Sequence, residues 1–159
     1  MANVTRVNRG NVRMTDPDRM QGTQMSPEAV DQLLTERGWG ILSLAAGRDA
    51  HAVPLSFGYD GDRCYLYLIQ FGPDSEKLEA IERTRTAALS VVHVEDASTW
   101  YSVVARGQLY PVDEDGIEAF ETAMTDNGWF PNLFPAEDDL RGVHRYVLEI
   151  EERTGRRGA

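Results

Sequence analysis

The chain holds one lysine, and that is the first residue whose chemistry asks for a reason. Of 16 basic residues, fifteen are arginine and the other is Lys77. It sits in Asp74-Ser75-Glu76-Lys77-Leu78, where a serine of the N-cap type precedes a helical run. A cation in the first helical turn opposes the helix dipole, at a cost of roughly a few tenths of a kcal/mol. An anion such as a phosphate at the same helix start would offset that cost. The alternative is a solvated side chain balanced by Asp74 and Glu76. The local sequence leaves both open.

Other reactive types are present without a constellation. His51, His93 and His144 are widely spaced, make no metal pattern, and are expected to be structural. Cys64 lies in an apolar strand-like run and is expected to pack. Ser56 and Ser102 have no evident base. Asp138-Asp139 and Glu151-Glu152 look like solvated faces. A nucleophile elbow, a phosphate-binding P-loop and a dinucleotide glycine fingerprint are all absent from the sequence.

The elements around Lys77 follow from periodicity and turn chemistry. Asp60-Gly61-Asp62 is a turn. A strand is predicted over 63–69, broken by Phe71-Gly72-Pro73-Asp74-Ser75, which should also cap the next helix. That helix is predicted over 76–83 with Leu78, Ala80 and Ile81 inward, then a buried strand over 86–94. Upstream, Ser26 and Pro27 open a helix with Val30, Leu33 and Leu34 on one face and Gly38 at its end. Strands are predicted over 39–46 and 51–59. Pro54 in the second has no N–H, so that position is an edge, a bulge or a place where something other than a strand lies alongside.

Downstream, a long strand is predicted over 99–112 with a bend at Gly107. A helix over 113–124 should bury Ile117, Phe120, Ala123 and Met124. The aromatic stretch 127–135, with Trp129 and Phe130, is a loop that either covers a hydrophobic ligand or interface or plugs its own core. A closing strand over 142–151 should turn Val143, Tyr146, Leu148 and Ile150 inward. The expected organisation is a mobile arm at 1–25, one domain at 26–152 and a loose charged tail at 153–159. Six strands with inserted helices predict an α+β fold built on a six-stranded antiparallel split or closed β-barrel.

Composition sets the remaining bounds. The chain has 159 residues, 42% of them hydrophobic, enough for one domain with a real core. A net charge of −10 with no basic run rejects nucleic acid as a partner. Acidic charge with lysine nearly absent points to a halophilic habitat, where salt screens self-repulsion. No apolar run approaches a membrane span, and no signal-peptide core opens the sequence. One cysteine fits a reducing cytoplasm.

The ordered set of these stretches resembles the pyridoxamine 5'-phosphate oxidase-like, FMN-binding split-barrel family, in particular the small branch with nitroimidazole-resistance proteins. The resemblance runs through Trp39-Gly40-Ile41-Leu42-Ser43-Leu44-Ala45, His51-Ala52-Val53-Pro54-Leu55-Ser56-Phe57, Tyr65-Leu66-Tyr67-Leu68, Lys77-Leu78, Thr86 to Val94, and Tyr101-Ser102-Val103-Val104-Ala105-Arg106-Gly107. It implies a homodimer with two FMN sites at the subunit interface and a small-molecule substrate. It places Val53, Pro54, Leu55, Ser56 and Phe57 beside the flavin ring, and Tyr67, Leu68 and Ile69 along the ribityl chain. Lys77 would hold the phosphate, and Trp100, Tyr101 and Ser102 would come from the second subunit. Two departures stand out. The family often has a glycine and a basic residue before the lysine, where this chain has Ser75-Glu76. Arg141-Gly142-Val143-His144-Arg145 also lacks the substrate signature of the full oxidases. The implied activity is an FMN-dependent oxidoreductase. A deazaflavin-binding reductase and a non-catalytic flavin-binding or structural dimer are the alternatives.

Overall fold

The computed structural model describes residues 22–127 and 140–158. A short strand, β1 (Thr23–Gln24), leads into helix α1 (Pro27–Arg37). The Ser26 hydroxyl accepts the Ala29 N–H at 3.2 Å, and Gly38 ends the helix in the left-handed region at φ 58°. Val30, Leu33 and Leu34 are buried as expected. Strands β2 (Trp39–Ala46), β3 (Asp49–Tyr59) and β4 (Arg63–Phe71) follow, then helix α2 (Glu76–Thr84) and strand β5 (Thr86–Val94). Strand β6 (Trp100–Pro111) leads through a 3-10 turn at Glu114–Gly116 into helix α3 (Ile117–Asn127), and β7 (Leu140–Arg157) closes the chain.

Every strand pairing is antiparallel, and the order β7-β4-β3-β2-β5-β6 returns from β6 to β7, closing a six-stranded barrel. The two-residue β1 adds to the end of β7. Inward positions recur every second residue: Leu42, Phe57, Leu66, Leu89, Leu109 and Leu148 are fully buried in the interior. The bend at Gly107 is real. The β6–β7 register shifts between Arg106 and Gly107, and a side chain there would overlap the Glu149 carbonyl.

Helix α3 lies on the outside, where Phe120, Ala123 and Met124 cover β4. Phe120 meets Tyr65 edge-on at 5.8 Å and Tyr67 at 4.8 Å. Gly58 admits this contact, since any Cβ would strike the Ala123 backbone.

Several expectations need correction. Strand β7 runs to Arg157, so the residues expected as a loose tail, 153–157, form ladder pairs with β6 and β1. The long β6 offers backbone groups that need a partner, and pairing overrides the charged sequence. Val143 is 50% exposed, because the two-residue period that turns Tyr146 and Leu148 inward turns it outward. Ile117 is 38% exposed, because it stands at the first position of its helix, at the end of the buried stripe that Phe120 and Met124 continue. Most of the expected mobile arm and nearly all of the aromatic loop, with Trp129 and Phe130, lie outside the described residues.

Candidate functional site

The barrel wall opens between β3 and β4. Their ladder covers only Phe57↔Leu66, Gly58↔Tyr65 and Tyr59↔Cys64. Beyond it β4 continues along β7, and β3 continues along β2 as far as Ala46↔Asp49. Among the described residues, one edge of β3 from Asp49 to Ser56 is therefore unpaired by strand. The Phe57 N–H donates to the Gly38 carbonyl at 2.9 Å, on the β2 side. By alternation, residues 52, 54 and 56 direct their backbone groups to the free edge. Pro54 thus lacks an N–H where no described strand asks for one, which answers the puzzle it posed. Ser56 is 8% exposed, and its hydroxyl has no hydrogen-bond partner among the described residues.

Helix α2 lies across the same end of the barrel, with Ala80 and Ile81 in the core. Ser75 occupies its N-cap position but makes no side-chain cap bond, contrary to the capping role expected of it. The first-turn N–H groups stay available to an anion. Lys77 projects from this turn. Its ammonium makes no ion pair among the described residues and stands 6.0 Å from the centre of the Phe71 ring. Burial pushes its pKa down. The neighbouring Glu76 carboxylate lies 3.7 Å from His51 Nδ1 at the start of β3. A cavity of about 680 Å³ opens beside this pair, with Arg48, Glu79 and Arg83 among its lining.

The residues expected around a flavin fall into groups. Pro54 and Ser56 share the outer face, while Val53 and Leu55 are half-buried on the inner one. Phe57 and Leu68 are core side chains, at 0% and 1% exposure, so only their backbones can face a ligand. Tyr67 is covered by Phe120, and Ile69 is half-buried. Trp100, Tyr101 and Ser102 lie on β6, three strands from β3, roughly 14 Å around the wall at the usual strand spacing. Within one chain they do not join the others. The Tyr101 ring stacks on His93 at 5.1 Å under the Arg37 guanidinium, facing the barrel end and not the outer face. Trp100 is packed against Gly22 and Gly158.

Sequence reasoning missed one pair. His144 Nε2 lies 3.1 Å from Gln70 Oε1, and the Gln70 amide reaches the carbonyls of Gly72 and Pro73, each at 3.3 Å. These residues are far apart in the chain, and no local pattern announces their meeting.

The remaining reactive groups are accounted for structurally. Burial pushes the Cys64 thiol far up, so it is an inert core residue. Arg153 Nε lies 2.7 Å from Asp31, which also meets the Tyr59 hydroxyl at 2.7 Å, tying α1, β3 and β7 together. Among the described residues no cluster of His, Cys, Asp and Glu could hold a metal, and no helix is long and apolar enough to cross a membrane.

The antiparallel barrel with its opening beside α2 defines a split barrel, and comparison with solved structures agrees. A FAD-binding protein from Mesorhizobium loti superposes with a TM-score of 0.66 at 19% identity, covering 86% of this chain and 98% of that one. The FAD-binding protein from Mycobacterium smegmatis gives 0.66 at 17%, covering 86% and 98%. A candidate 5-nitroimidazole antibiotic resistance protein from Bacteroides thetaiotaomicron gives 0.63 at 18%, covering 85% and 86%. At such identities the likeness establishes the fold alone. The family model for pyridoxamine 5'-phosphate oxidase matches residues 26–157, so the chain belongs to the pyridoxamine 5'-phosphate oxidase-like family. No curated protein matches the sequence.

Proposed function

We propose that this protein binds a flavin, FMN, in the opening between β3 and α2, and that two copies complete the site as an oxidoreductase for a small molecule. The observation that carries the reading is Lys77: a half-buried cation, unpaired by any acid among the described residues, on an uncapped helix turn. A phosphate there would satisfy both the ammonium and the first-turn N–H groups.

The rest of the opening fits the same ligand. The free edge of β3 offers the backbone groups of Ala52 and Ser56, with Pro54 between them, to the polar rim of a flat ring. The Ser56 hydroxyl, without a partner among the described residues, is a donor and acceptor beside them. A bound flavin supplies hydride and electron transfer from its own ring system, while the chain binds and orients it. This division of labour agrees with the lack of a catalytic constellation.

The second copy is supported by the outer face. The registers set Ile41, Ser90 and Val104 side by side across β2, β5 and β6, with Val92 and Val94 beyond them at 55% and 67% exposure. A dimer through this face would bury that apolar surface and bring Trp100 and Ser102 of β6 towards the partner's β3 edge.

FAD is a second reading, favoured by the two FAD-binding proteins that share the fold. The visible spectrum of the freshly purified protein, with the mass of the released cofactor, separates the readings. The mass of FMN is expected. The mass of FAD or a deazaflavin would replace FMN. A colourless protein that also fails to take up added flavin would end the proposal.

A further inference from the structure

We infer that Gln70, fixed by His144, is a positioning residue that sets the loop presenting Lys77. Its functional consequence rests on the flavin-phosphate reading above, but its structural basis does not.

The geometry is specific. Gln70 is the last residue of β4 in regular register with β7. It pairs with Gly142, the next pair is Phe71↔Leu140, and Arg141 is left as the extra residue of a bulge. The chain then leaves the barrel through Gly72, at φ 72°, and enters α2. Among the described residues, the side-chain bonds tying 72–75 back to the barrel are the two from Gln70, to the carbonyls of Gly72 and Pro73.

The amide is held in one orientation. Its NH2 group donates to both carbonyls, and its oxygen accepts from His144 Nε2. A flipped amide would set its oxygen against two carbonyl oxygens. The partnership also fixes the ring, which must carry its proton on Nε2 to donate. Gly142 leaves the room this needs, since a Cβ there would lie 3.0 Å from His144 Nε2. A chain of contacts therefore runs from Gly142 and His144 through Gln70 to the loop four residues before Lys77. Both members of the pair are half-buried at the barrel end, where solvent competes less for these bonds.

The single lysine provides the test. A lysine-specific endoproteinase can cut this chain only after Lys77, so native-state cleavage reports how firmly the first turn of α2 is held. Gln70→Ala removes the bonds. Gln70→Glu keeps an acceptor for His144 but sets a carboxylate oxygen against the two carbonyls. Gly142→Ala crowds the His144 ring without touching Gln70. Melting temperature is followed in all three, so that global destabilisation is separated from local loosening.

Losing net hydrogen bonds of ordinary strength predicts cleavage after Lys77 about fivefold faster in each variant at nearly unchanged melting temperature. FMN affinity should fall by about fivefold while riboflavin affinity stays at the wild-type value. Faster cleavage with no FMN binding even in wild type leaves the positioning role standing and removes the flavin reading. Unchanged cleavage in Gln70→Ala and Gln70→Glu overturns the inference. So does an equal loss of FMN and riboflavin affinity, which would place the effect at the ring and not at the phosphate loop.

Discussion

Lys77 Nζ faces the Phe71 ring, 6.0 Å from its centre, across the loop that carries the chain from β4 into α2. A ring holds a cation weakly, by about 0.5–1 kcal/mol at a partly exposed site. It steers the ammonium without neutralising it. An arriving anion therefore breaks no ion pair among the described residues, and its charge offsets the burial that pushes this lysine's pKa down.

Ser56 tests the ring side of the opening. Its buried hydroxyl has no partner among the described residues, so Ser56→Ala removes a group that costs stability when ligand is absent. The ligand-free variant should melt at the wild-type temperature or a few degrees higher, a gain of up to about 1 kcal/mol. Flavin affinity should fall by about threefold or more. A variant that melts well below wild type would show that the hydroxyl already has a structural bond.

Assembly depends on the outer face of β2, β5 and β6. Val92 is 55% exposed and lies on strand β5, between β2 and β6. Val92→Arg places a charge where the dimer would desolvate it. Light scattering in molar salt should report a dimer for wild type and a monomer for the variant. A wild-type monomer would remove the proposed interface.

Alkaline stability follows from the tyrosines. Burial is the largest cause raising the pKa of Tyr59, Tyr65, Tyr101 and Tyr146, and Tyr65 is pushed up to about 12. Unfolded tyrosines ionise near their ordinary value of about 10. Above it the folded state binds more protons than the unfolded one, so stability falls as pH rises. It is fully present below about pH 10 and is lost progressively towards Tyr65's value of about 12. Melting temperature should drop between about pH 10 and pH 12, and drop less in Tyr65→Phe. A flat profile in wild type would contradict these assignments.

The barrel was legible because its signals are local. The strand over 86–94, the cap at Ser26-Pro27, the Asp60–Asp62 turn and the bend at Gly107 each act within a few residues, although that strand is not buried throughout as expected: Val92 and Val94 on its outer face are exposed. Lys77 stood out by type and position alone. The end of β7 was not legible, because backbone pairing with β6 and not side-chain pattern makes residues 152–157 a strand. The Gln70–His144 contact was hidden for a related reason: only barrel closure brings β4 beside β7. Tyr101 shows the limit of placing side chains by motif, since strand parity turns its ring inward onto His93 while Trp100 and Ser102 face outward.

The most direct test of the account compares FMN and riboflavin binding to wild type and Lys77→Ala by flavin fluorescence at one salt concentration. Removing a charge-assisted phosphate contact should weaken FMN binding by roughly tenfold to a hundredfold. Riboflavin, which has no phosphate, should bind both proteins equally, and Lys77→Arg should keep part of the FMN affinity. If Lys77→Ala binds FMN as tightly as wild type, Lys77 is a surface residue and the phosphate site lies elsewhere.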